Sequence, residues 1–382
     1  MIYNCVAFPS RFAEWCELLL LELVTAAKAR ELSSRRGRSR SRPEEAKPEV
    51  ALIFGDSLAE LGRQLMLTNS QHFVAVSRQP HSDTCQVLRD GQRPFLVVLD
   101  EPVSAVETLM RDHQFGYLQA ARMLANSSAS LLQFVGMANA LVLRPDPVPD
   151  FGATARLIER HFHFDFTKTA IEEIVNRPIL AELAARIETT TAALTIEPPL
   201  HATELSVVSA AASELVAEDP FMEHRPPSIL EGAIVPLWRA LQGEDIDEIV
   251  WGRDLFFSGD RPGEAATLPF NLTGPSRCLS FGPYLRLPGG PWSCRVVFAC
   301  NEKAIGTRMM ADAACAGVAL GHAQFQLAEA GIFEIEFAFD NANPDRPIEV
   351  RLFNMNAALD GHFALGEVRL SPLEFKRLPV TQ

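Results

Sequence analysis

The sequence predicts two folded halves: a doubly wound α/β domain on a mostly parallel sheet, then an all-β antiparallel, jelly-roll-like sandwich. Two observations carry this reading. Over residues 1–165, short apolar runs alternate with segments of helical period, which is how the βα units of a parallel sheet read. From 251 to 382, strand-length runs are parted by Gly, Pro, Asn and Asp, the texture of antiparallel strands and turns. The Pro-interrupted stretch 166–250 reads as a helical connector.

Taken in order, the first strand is the apolar run at 5–8, which meets Pro9 and gives way to an apolar helix over 12–32. Residues 33–49, SSRRGRSRSRPEEAKPE, then break all periodicity. Such an Arg/Ser run suits a nuclear signal or an RNA-binding tail, but between prolines in an acidic chain it is expected to be a mobile insert, cut first by proteases. Strands follow at 50–54, 72–77, 94–99 and 140–143, the third being a continuous apolar run of the kind buried on both faces. Helices are expected at 58–67, 102–112, 116–129 and 151–161, with one more running unbroken over 163–193. In the second half the strands are 292–300, 332–339, 348–353 and 363–370. Each buries an apolar face, so residues from 251 onward are expected to fold alone.

A chain of 382 residues holds two sizeable cores. Its net charge of −13 excludes a general nucleic-acid surface, and any anion site must be a local pocket of Arg or Lys working against the overall field. Seven cysteines without a CxxC or a Cys/His set at zinc spacing predict free thiols in a reducing cytoplasm. Glu14, Glu17 and Glu22 interrupt the N-terminal apolar stretch, so neither a signal peptide nor a membrane span is expected.

The segment NCVAFPSRFAEWCELLL sets a strand, a short loop and a helix where backbone amides and a positive helix end hold a phosphate. With Phe8, Pro9 and Trp15 at matching spacing, it resembles the 5′-phosphosulfate loop of PAPS-dependent sulfotransferases. The resemblance covers residues 1–165 and implies a P-loop sulfotransferase-like fold with cofactor contacts at Pro9, Ser10, Arg11 and Phe12. The loop departs from the family in reading Ser10, Arg11, Phe12, Ala13 and Glu14. The later segment VVLDEPVSAVETLM keeps the family's Pro (Pro102), but Asp100 and Glu101 stand where an Arg and its neighbour grip the 3′-phosphate, and Glu107 stands near the Ser position. ALVLRPDPVPDFGATARLIERHF is similar to a further family segment. A carboxylate facing a phosphate costs on the order of 1 kcal/mol or more. The expectation is therefore a degenerate loop with no cofactor, PAPS or PAP binding only if Arg11 and the loop amides still work.

Residues Phe54-Gly55-Asp56-Ser57-Leu58 resemble the GDSL block of SGNH-type esterases, in which the Ser is the nucleophile. That chemistry needs oxyanion donors and a late Asp-x-x-His. Asp360-Gly361-His362 is one residue short, and Gly136 with Asn139 do not form the Gly-x-Asn-Asp block. Ser57 is accordingly expected to cap a helix. His161 and His163 lack a neighbouring Cys or carboxylate pair, and Asp340 to Asp345 misses calcium-loop spacing, so no metal is expected. The catalytic candidates are Arg11 and Ser57 alone.

In the second half, LTGPSRCLSFGPYLRLPGGPWSCRVVF resembles the opening of carbohydrate-binding β-sandwich modules attached to bacterial polysaccharide-related proteins. Alternation puts Trp292, Cys294, Val296 and Phe298 on one inward face, and Phe333, Ile335, Phe337 and Phe339 on another. The outward positions pair Tyr284 with Arg286, Glu334 with Glu336, and Glu349 with Arg351. Tyr284, Arg286, Glu349 and Arg351 are the ligand-binding candidates, since rings stack on sugar C–H faces and planar polar groups meet hydroxyls. A solvated face with cross-strand ion pairs is the alternative. The resemblances together imply a non-catalytic or weakly catalytic accessory protein in bacterial surface-polysaccharide synthesis or modification, partnered by a glycan or a pathway protein. The alternatives are a divergent sulfotransferase, a GDSL-type esterase using Ser57, and an interaction scaffold.

Overall fold

The computed structural model describes residues 1–36, 49–68, 70–145, 149–194, 220–221, 227–267 and 269–373. Most of the basic insert, much of the connector and the last residues lie outside the described residues. Two compact units emerge: residues 1–120 with 134–194, and residues 121–133 with the described part of 220–373. Residues 121–133, part of one helix in the α/β sequence, cluster with the sandwich. Among the described residues no helix is long and apolar enough to cross a membrane.

The first unit holds five parallel strands, β1 (Ile2–Ala7), β2 (Val50–Phe54), β3 (His72–Ser77), β4 (Phe95–Val98) and β5 (Ala140–Leu143), in the order β2-β3-β1-β4-β5. Both faces are covered, which is why the strands read as unbroken apolar runs. On one side α1 (Arg11–Arg36) and α6 (Phe151–Phe162) bury Phe12, Trp15, Leu19, Leu23, Phe151 and Ile158 against Cys5, Val76 and Val98. On the other, α2 (Leu58–Leu67) packs Leu61 against Ile53, Phe73 and Ala75. Two further helices, α4 (Pro102–Asp112) and α5 (Tyr117–Leu131), separate β4 from β5.

Two local expectations are corrected. A helix α3 (Ser82–Asp90) lies between β3 and β4, and its polar composition hid it. The expected unbroken helix over 163–193 is instead two, α7 (Lys168–Val175) and α8 (Pro178–Leu194). His163 adopts φ 56° as the left-handed cap of α6. Pro178, which has no N–H and disfavours helical backbone at Arg177, forces the second break.

The second unit is a sandwich of two antiparallel sheets. Its strands are β6 (Ile249–Gly252), β7 (Phe257–Ser258), β8 (Phe270–Asn271), β9 (Arg277–Leu285), β10 (Gly290–Cys300), β11 (Arg308–Cys315), β12 (Val318–Gln326), β13 (Gly331–Asn341), β14 (Ile348–Asn354) and β15 (His362–Pro372). A short helix, α9 (Val235–Leu241), precedes them. One sheet runs β13-β10-β15-β6 with β8 beside β15, and the other runs β12-β11-β14-β9-β7. Period-2 alternation buries Trp292, Cys294, Val296 and Phe298 from β10 and Met309, Ala311 and Ala313 from β11. Phe298 stacks on Phe325 of the facing sheet at 5.2 Å and on Phe363 at 5.0 Å. On edge strand β13 the inward face grades from buried Phe337 and Phe339 to half-buried Ile335 and Phe333.

Candidate functional site

The carboxyl ends of β1 and β4 lie side by side, with Ala7 opposite Val98, so the loops after them meet where doubly wound sheets place ligands. Pro9, Ser10 and Phe12 are buried there. Ser10 caps α1, its Oγ accepting from Ala13 N–H at 3.2 Å. The carboxylate of Asp100, only 7% exposed, stands at the start of the helix. It accepts from Glu101 N–H at 2.7 Å, and it is further hydrogen-bonded by the Ser10 hydroxyl and the Phe12 N–H. Burial pushes its pKa up to about 6 against the pull of these donors. A carboxylate of the chain itself thus answers amides of the kind that bind phosphate.

The nearby cations are engaged as well. Arg11 forks onto Asp112, Nε to Oδ2 at 2.7 Å and Nη2 to Oδ1 at 3.0 Å, which holds the Asp112 carboxyl below its ordinary range. Arg78 Nη1 donates to the Phe8 carbonyl at 2.7 Å and lies 2.5 Å from Glu17 Oε1. Glu17 is pushed up to about 7 by burial, with Arg78 opposing.

Ser57 is the N-cap of α2, its Oγ accepting from Glu60 N–H at 3.2 Å within a capping box. Asp56 Oδ1 accepts from Ser77 Oγ and from the Arg78 and Gln79 N–H groups at 2.7–2.8 Å, tying β2 to the loop after β3. The residues an esterase would need have other partners. Asp360 accepts from Lys303 at 2.7 Å, His362 bonds Asn301, and Asn139 Nδ2 donates to the carbonyls of Leu88, Gly91 and Arg93. His161 Nε2 lies 3.1 Å from the Phe95 carbonyl. Among the described residues no group of three or more His, Cys, Asp or Glu is placed to hold a metal ion.

The sandwich presents a different surface. Cross-strand register sets Phe257, Phe281, Arg351, Asp312 and His322 in one row across β7, β9, β14, β11 and β12, spanning about 19 Å at the usual strand spacing. Phe353 and Met310 lie in the row on one side, Glu349 on the other. Phe257, Phe281 and Tyr284 form a ring cluster with centroids 5.7–6.4 Å apart. Arg351 forks onto Asp312, Nε to Oδ1 at 2.9 Å and Nη2 to Oδ2 at 2.7 Å. Its Nη1 is 3.7 Å from Glu349 Oε1. Tyr284 is 41% exposed, and its hydroxyl, hydrogen-bonded to Glu349, is pushed up to about 12 by burial and then by that carboxylate.

Three of the four expected ligand residues, Tyr284, Glu349 and Arg351, therefore stand together, and Arg286 takes other partners. Leu285 faces Ile348 and Pro283 faces Glu349, leaving Tyr284 as an extra residue at φ 62°. The bulge brings Tyr284 to the face of Phe281, and β9 ends at Leu285, so Arg286 lies beyond the ladder and leaves that face. It is 6% exposed, its N–H donating to Asn126 Oδ1 and its Nη1 to Ser130 Oγ, both on α5. From the same helix Arg122 lies over the Phe257 ring at 4.8 Å and donates to the Leu255 carbonyl. Sequence reading missed Asp312, Phe281, Phe257 and Phe353. The alternation of Met309, Ala311 and Ala313 with Met310 and Asp312 was the available signal in the Ala-rich strand β11.

The outward face of the other sheet carries an ion-pair ladder. Arg295 pairs with Glu248 and stands 4.0 Å from Glu334, Glu336 accepts from Ser293 at 2.5 Å, and Arg369 Nε donates to Glu367 at 2.6 Å. Trp292 is a core anchor, buried with its Nε1 donating to the Pro288 carbonyl at 3.0 Å.

No protein-family model matches the chain, and no curated protein matches it. Among solved structures it is similar to a CBM36-1 domain of a multidomain xylanase from the hindgut metagenome of Trinervitermes trinervoides. The two are 10% identical, the match covers 34% of this chain and all of that one, and the TM-score is 0.23. A family 16 carbohydrate-binding module-2 is 13% identical over 30% of this chain and 82% of its own, with a TM-score of 0.21. The Bacillus thuringiensis δ-endotoxin Cry8Ea1 is 11% identical over 28% of this chain and 20% of its own, also at 0.21. With scores this low, the sandwich assignment rests on strand order and register alone.

Proposed function

We propose that this protein binds a glycan on the outward face of the β12-β11-β14-β9-β7 sheet and acts as an accessory protein in surface-polysaccharide synthesis or modification. The observation that carries the reading is the ring cluster of Phe257, Phe281 and Tyr284 beside the planar polar groups of Arg351, Glu349 and Asp312. Rings accept the C–H faces of sugars, while carboxylate and guanidinium groups meet hydroxyls. Among the described residues the opposite sheet offers an ion-pair ladder, and the ring of Phe221 beside it is buried against Ala299 and Ala364. Neither enzyme alternative has comparable support, since Asp100 answers the loop amides and Ser57 spends its oxygen on a cap.

Titration calorimetry of the full chain against a glycan panel tests this. At least one glycan is expected to bind, and Tyr284→Ala and Phe281→Ala are each expected to weaken it by about 1–3 kcal/mol. Glu336→Gln, on the opposite sheet, is expected to leave binding unchanged. Binding that ignores both ring truncations would end the proposal.

A further inference from the structure

We infer that this face selects uncharged glycans and turns away acidic ones, because its central guanidinium is already neutralised by carboxylates of the chain; the inference rests on the reading of the face as the glycan site. Both oxygens of Asp312 are taken up by Arg351, at 2.9 and 2.7 Å. Asp312 is only 3% exposed. A ligand carboxylate or sulfate that captured Arg351 would strand Asp312 as an uncompensated buried anion, which is strongly unfavourable.

Glu349 lies on the remaining side of the guanidinium, 3.7 Å from Nη1, and bonds the Tyr284 hydroxyl. Asp312, Glu349 and Arg351 together sum to one negative charge. A further guanidinium near the rings, Arg122, covers Phe257, donates to the Leu255 carbonyl and has its Nε buried out of a ligand's reach. A sugar hydroxyl can donate to Glu349, whereas a sugar carboxylate brings no donor and meets a like charge. The chain's net charge of −13 adds a long-range field that repels polyanions.

The test titrates the full chain with uncharged oligosaccharides (glucan, galactan, mannan) and with the 6-carboxylate form of each. For any uncharged oligomer that binds, the acidic form is expected to bind at least tenfold more weakly at low salt. The gap should shrink as salt screens the repulsion. Glu349→Gln is expected to reduce the neutral-to-acidic preference at least threefold, whatever its effect on the neutral oligomer. An acidic form that binds as tightly as its neutral partner overturns the selectivity while leaving the glycan site standing. If no oligomer of either kind binds at millimolar concentration, or if binding ignores Tyr284→Ala, the site itself is wrong and the selectivity falls with it.

Discussion

Asp100 shows how one side chain changes what a loop does. At the start of α1 it supplies the negative charge that the helix end and its amides attract, and burial raises its pKa to about 6. A raised carboxyl pKa means that the folded state holds its proton more tightly than the unfolded chain does. The associated stability is therefore fully present below the unfolded value of about 4 and is lost as pH rises through about 6. Asp100→Asn keeps the acceptor oxygen without the charge. It is expected to flatten the pH dependence of the α/β unit's unfolding over this window and to leave the neutral-pH unit more stable by roughly 1–3 kcal/mol. Urea unfolding at several pH values reads this, and an unchanged slope would remove Asp100 as its source.

Among the elements, β12 depends on a residue without a side chain. A Cβ on Gly321 would sit 2.2 Å from the Ala338 carbonyl oxygen of β13, where the edges of the two sheets approach. Backbone cannot yield that distance cheaply, so Gly321→Ala is expected to destabilise the sandwich by about 1–3 kcal/mol. A thermal melt of the variant checks the figure, and no loss of Tm would mean that the edges separate freely. The bulge at Tyr284 works at the same scale, displacing one residue from the ladder so that the ring joins Phe257 and Phe281.

For the whole molecule, the second unit includes residues 121–133 of α5. A fragment starting at 251 lacks Asn126 and Ser130, which hold the buried Arg286, and cuts into β6. Against the expectation from sequence that this fragment folds alone, it is expected to be insoluble or molten, because the Arg286 backbone N–H loses its Asn126 acceptor and the buried guanidinium loses the Ser130 hydroxyl. In the full chain, Asn126→Ala with Ser130→Ala should lower sandwich stability by about 2–4 kcal/mol. Sharp, dispersed amide resonances from the fragment would refute the first expectation.

The sequence by itself determined the two fold classes and most elements. Apolar runs of strand length and helical repeats at 58–67 and 151–161 bury themselves wherever the chain goes, and the Ser57 cap is a local interaction. Period 2 within a single strand also placed Glu349 and Arg351 on one face, whereas Tyr284 reaches that face through its bulge. Only the tertiary structure decided what surrounds them. The row from Phe257 to His322 joins residues on five strands through register, which no local pattern encodes. Arg286 was lost to the site because β9 ends just before it and a helix far away in sequence supplied its acceptors. Asp100 likewise met the helix end only through the adjacency of β1 and β4, a contact made when the parallel sheet closed.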